Sequence, residues 1–146
     1  MRRRALGVLI VLSVPAVLML AGCGGVLSPA QVRKRASQAC DHAADRSAAI
    51  RLPKAPSGGQ HFLAQGIAVL APEIRTLRRL DDHGAIEVAV SAMQAELVAL
   101  RSSLQGLRAG NDPVVAVKTL QQELVGFEQQ ANTAWRTLRV PACVSR

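Results

Sequence analysis

Aromatic side chains are almost missing from this sequence: it has no Tyr, two Phe (Phe62, Phe127) and one Trp (Trp135). Bases are held on stacking platforms or in dense basic grooves, and neither is evident, so nucleic acid is not an expected partner. No segment alternates apolar and polar residues with a period of two, so no sheet is expected. Patterns that announce common chemistries are missing as well. There is no His-Glu-x-x-His zinc motif, no Gly-x-Ser-x-Gly nucleophile turn and no phosphate loop after Ser57-Gly58-Gly59. Nor is there a Glu-x-x-His pair of the kind that di-iron bundles place on facing helices. The expectation is a non-enzymatic protein with no catalytic residue, metal ligand or cofactor.

Cysteine is scarce too, with three in 146 residues, and the first has a telling context. Arg2, Arg3 and Arg4 precede an apolar run from Ala5 to Leu20, which ends in Leu20-Ala21-Gly22-Cys23. A charged start, an apolar middle and small residues at the end make a secretory signal. The run is shorter than the roughly 20 apolar residues of a membrane span and carries Pro15. Its last four residues resemble the bacterial lipobox at every position. That resemblance implies cleavage before Cys23 and diacylation of its sulfur. The competing reading is a retained signal anchor. The domain reading is therefore a signal peptide over 1–22, an acylated cysteine and short tether over 23–28, and a helical body over 29–146. The expected location is the extracytoplasmic face of the cell membrane, held by lipid.

Removing the signal takes three arginines with it. The remaining 124 residues hold 15 basic and 10 acidic residues, a formal charge of +5 against +8 for the whole chain. That length makes one ordinary domain with a single core. Cys40 and Cys143 are left outside the anchor. Export permits disulfides, and two cysteines allow one intramolecular pairing, which would tie the first helix to the C-terminal tail. Two free thiols are the alternative.

The rest of the chain reads as four helices. The first is predicted from about Pro29 to Leu52, with Ser28 as N-cap and Pro29 at the first helical position. Its inner face is small: Val32, Ala36, Ala39 or Cys40, Ala43, Ser47 and Ile50. Pro53 to Gly59 form a linker. The second helix, about Gln60 to Leu80, has Leu63, Ile67, Leu70, Ile74 and Leu77 on one seam. Pro72 lies inside it and either kinks or breaks it. Asp81-Asp82-His83-Gly84 is a turn, with the aspartates able to cap the next helix. The third helix, about Ala85 to Arg108, carries Ile86, Val90, Met93, Leu97, Leu100, Leu104 and Leu107 at steps of four and three. Gly110 ends it. The fourth, about Pro113 to Leu138, carries Val117, Leu120, Leu124, Phe127, Ala131, Ala134 and Leu138, with Gly126 suggesting a close helix approach. Pro141 stops it. The predicted fold is all-α, an antiparallel four-helix bundle. Cys40 sits mid-helix, so the tail must fold back to reach it.

The body resembles the small helical exported proteins and lipoproteins of actinobacteria. The likeness rests on Cys40 in an early helix, Leu52-Pro53 after it, heptad-like helices and the closing stretch Leu138-Arg139-Val140-Pro141-Ala142-Cys143. It implies fold and location, and no catalytic residues.

Few side chains suggest chemistry. His42 and Asp45 stand three apart on the first helix, and His83 sits beside Asp81 and Asp82, but a metal site needs three or four convergent ligands. His61 has no specific context. Arg75, Arg78 and Arg79 form a basic stripe, either a solvated face or a contact for lipid headgroups. Trp135, Phe127, Met93 and Leu70 belong to the core or line an apolar groove. The expected role is a structural or protein-interaction module of the envelope, with an envelope protein as its partner. The alternative is a binder of a small lipophilic ligand between the helices.

Overall fold

A computed structural model describes residues 27–80 and 84–144. Cys23, the segment before it, and Asp81, Asp82 and His83 lie outside the described residues. Four helices form, α1 (Pro29–Ala48), α2 (Gly59–Arg78), α3 (Glu87–Arg108) and α4 (Pro113–Thr137), and no strand occurs among the described residues. The fold is an all-α helical bundle.

Local chemistry sets most boundaries. The Ser28 hydroxyl accepts from the Gln31 amide, and the Gln31 side chain accepts from the Ser28 amide. This capping box satisfies two orphan donors of α1. The Asp112 carboxylate likewise accepts from the amides of Val114 and Val115, with Pro113 opening α4. The end of α3 closes on Gly110, at φ 92°. The Asn111 amide donates to the Gly106 carbonyl and the Gly110 amide to Leu107, the paired bonds of a Schellman end. The N-cap of α3 is Ile86, which makes no side-chain cap.

One boundary differs clearly from expectation. The first helix ends at Ala48, not Leu52. The proline ring of Pro53 disfavours helical backbone at Leu52, and the helix unwinds ahead of it. The Ile50 amide bonds back to Ser47 in a tightened last turn, and Leu52 is left 79% exposed. In α2, Pro72 does not break the helix, which runs unbroken to Arg78. A proline at 72 cannot donate to the Ala68 carbonyl four residues back. The guanidinium of Arg46, on α1, donates to that carbonyl instead.

The helices pack in chain order, α1 on α2, α2 on α3, α3 on α4. The circle is closed by the tail rather than by α1 against α4: a short 3₁₀ turn, Pro141–Cys143, packs on both α1 and α4. The tail reverses at Arg139, whose φ of 57° is left-handed. The Val140 amide donates to Trp135 and the Arg139 amide to Arg136, so an arginine does here what Gly110 does at the end of α3. This fold-back delivers Cys143 to the middle of α1, where its sulfur is 1.95 Å from that of Cys40.

Two apolar clusters result. One joins all four helices and the tail: Ala36 and Cys40, Ile74 and Leu77, Val90 and Met93, Trp135, Val140 and Cys143 are all within it. The other joins only α2, α3 and α4, through Leu63, Leu104, Leu107 and Leu120. The α4 seam is correspondingly incomplete. Val117 is 38% exposed, and Leu124 and Phe127 are only partly buried. Gly126 marks no close approach, since a Cβ there would meet nothing within 4 Å.

Candidate functional site

The early end of α1 has a consequence in space. The bond from Arg46 to Ala68 places the last turn of α1 against the middle of α2. Beyond that point no fourth helix covers the bundle, and residues 49–58 climb to α2 as a loop with a 3₁₀ turn at Pro56–Gly58. A cavity of about 430 Å³ opens where α1 stops. Ser47, Ile50 and Leu52 form one wall; Glu128, Ala131 and Asn132 of α4 form the other. The floor is α2 and α3, with Phe62, Leu70 and Glu73 from the first and Met93, Glu96 and Leu100 from the second. Cys143 closes one end.

Chemically the cavity is greasy with an acidic component. Three of the chain's five glutamates line it, and among the described residues no Lys, Arg or His does. Glu73 is 5% exposed, and it is the buried charged side chain among the described residues. Glu73, Glu96 and Asn132 already take part in interactions within the protein. Gly66 lies in the α2 floor, and a Cβ there would meet nothing within 4 Å. The volume falls within the range of about 300–1,000 Å³ typical of small-molecule sites, which pair apolar walls with a few placed polar groups.

The residues singled out from sequence fall as follows. Leu70 and Met93 line the cavity, while Trp135 and Phe127 do not. Trp135 is fully buried in the four-helix cluster, and its indole nitrogen has no hydrogen-bond partner among the described residues. Phe127 packs at the edge of the three-helix cluster. His42, Asp45 and His61 are exposed, and no group of three or more His, Cys, Asp or Glu among the described residues is arranged to hold a metal. Arg75, Arg78 and Arg79 are exposed near the end of α2. Cys40 and Cys143 are brought together as a disulfide. No described helix is long and apolar enough to cross a membrane.

The three glutamates were not singled out from sequence. Glu73 stands three after Leu70 and four before Leu77. Glu96 stands three after Met93 and four before Leu100. Glu128 stands four after Leu124 and three before Ala131. Each is at helical spacing from two seam residues, but so are the exposed Arg101 and Glu123, so the spacing alone does not mark the cavity.

Compared with known proteins, the chain matches no family model, no curated protein and no solved structure.

Proposed function

We propose that this protein is a lipid-anchored, extracytoplasmic binding module of the cell envelope, without enzymatic activity, and that the cavity at the end of α1 holds a small amphiphile. The cavity carries this reading. Its apolar walls suit a short aliphatic body, and its three carboxylates suit a polar end that donates hydrogen bonds or is positively charged.

The anchor rests on Leu20-Ala21-Gly22-Cys23. Two acyl chains on Cys23 hold a protein stably to a bilayer. The Cys40–Cys143 pair supports export, because disulfides persist in oxidising compartments. Cell fractionation of Cys23→Ser tests the anchor: the variant is expected to leave the membrane or to accumulate as precursor. A fully processed, membrane-bound Cys23→Ser protein refutes it.

The cavity is tested by calorimetric titration of purified protein with octylammonium, octan-1-ol and octanoate, three heads on one chain. Octylammonium is expected to bind one to one and most tightly, octanoate least. Gly66→Phe, which directs a ring into open space, is expected to abolish binding while leaving the fold intact. Binding that survives Gly66→Phe unchanged contradicts the reading.

A protein-interaction role remains the second reading, on one observation. Val114, Val115 and Val125 of α4 are each more than half exposed, in the part of the bundle that α1 does not cover.

A further inference from the structure

The charges of this protein are not spread evenly along the bundle, and their uneven distribution lines up with the tether. The antiparallel order puts the start of α1, the end of α2, the start of α3 and the end of α4 at one end of the molecule. Leu27, four residues after Cys23, packs on the four-helix core at that end. The exposed basic side chains there are Arg33, Lys34 and Arg35 of α1, Arg75, Arg78 and Arg79 of α2, and Arg136 and Arg139 at the close of α4. Against these eight cations stand, among the described residues, Glu87 and the buried Glu73; Asp81 and Asp82, which follow α2 in sequence, lie outside them. From the middle of the bundle to its other end the charges cancel. Arg46, Arg51, Lys54, Arg101, Arg108 and Lys118 are matched by Asp41, Asp45, Glu96, Asp112, Glu123 and Glu128. Arg146 lies outside the described residues; among those described, the positive excess is concentrated around the point where the tether enters.

We propose that this end is a basic foot that seats the bundle on anionic lipid headgroups, fixing its orientation on the membrane. The inference rests on the lipid-anchor reading, because the tether is what brings the foot within reach. Four residues separate Cys23 from Ser28, and at about 3.5 Å per residue an extended stretch of that length keeps the foot near the headgroups. A basic residue within a Debye length of an anionic leaflet is attracted to it, and eight act together. Arginine suits the task, since its guanidinium pairs with phosphate through two parallel donors. The neutral far end, with the cavity partway towards it, then faces away from the bilayer.

The test is arginine footprinting with phenylglyoxal on the acylated protein in vesicles, read by mass spectrometry. On vesicles rich in phosphatidylglycerol, Arg33, Arg35, Arg75, Arg78, Arg79, Arg136 and Arg139 are expected to label several-fold more slowly than on phosphatidylcholine. Arg51, Arg101 and Arg108 should label equally on both. High salt should erase the difference. The triple variant Arg75→Gln, Arg78→Gln, Arg79→Gln alters only exposed side chains and should weaken protection at Arg33, Arg35, Arg136 and Arg139. Equal labelling on the two lipids, or equal protection of the far-end arginines, overturns the foot while leaving the anchor standing. Failure of the protein to sediment with phosphatidylcholine vesicles overturns the anchor itself, and the foot with it.

Discussion

The two halves of this bundle are built differently. In the half nearest Leu27, four helices and a folded-back tail converge on Trp135, and Cys40–Cys143 locks the tail to α1. In the other half, three helices share a smaller cluster around Leu104, Leu107 and Leu120, and α4 leaves Val114 and Val115 in water. One event, the end of α1 at Ala48, separates the halves. The cavity lies at their boundary. The contrast teaches that a missing half-helix can be a constructive feature: it opens a walled space without a hole in the core.

The largest expected effect is on the closed half. Replacing both Cys40 and Cys143 by Ser should lower stability by about 4–5 kcal/mol, because the bridge closes a loop of about a hundred residues and so restricts the unfolded chain. Urea unfolding of wild type and variant measures it. A loss under 1 kcal/mol would mean that packing alone holds the tail.

Single truncations sharpen the contrast. Trp135→Ala should destabilise by about 3–5 kcal/mol and Leu120→Ala by about 2–3 kcal/mol, since both empty buried space but Trp135 is larger and more fully enclosed. Equal losses in chemical denaturation would argue against two unlike halves.

A gain is expected where helix geometry is unoccupied. Gly126→Ala should raise stability by about 1 kcal/mol, the helix-propensity difference, as a Cβ there meets nothing. A lower melting temperature would reveal a role for Gly126 that its surroundings do not show.

Smaller still is the link across the boundary. Arg46→Ala removes the donor to Ala68 and should lose about 0.5–1 kcal/mol, modest because the site is exposed to water. Pro72→Ala supplies an amide for the same carbonyl, so the Arg46→Ala loss should shrink in its background, as a double-mutant cycle would record. Smallest of all, Val115→Lys should change stability by no more than about 0.5 kcal/mol; a larger loss would show that the open half buries its valines.

Much of this was legible in the residues. Ser28-Pro29, Gly110 and Asp112-Pro113 declared helix ends through chemistry confined to a few neighbours, and the four-and-three spacing of Ile86 to Leu107 needed no partner to be read. Counting allowed the disulfide, with two free thiols as the alternative, and the structure pairs Cys40 with Cys143. What resisted depended on how helices register against one another. The early end of α1 is set by Pro53 and by where α2 must begin, and Arg46 meets Ala68 only once α1 and α2 are docked. Glu73, Glu96 and Glu128 stand on three helices and share a cavity only after all three are in place. Arg139 adopts a backbone that glycine usually supplies, which no local rule assigns to arginine.

The unequal halves are tested most directly by native-state amide hydrogen exchange resolved along the chain. Residues 90–97 and 131–140 should exchange only through global unfolding, while residues 113–125 should open locally at a distinctly lower free energy. Uniform protection from 90 to 140 would contradict the division, and with it the origin assigned here to the cavity.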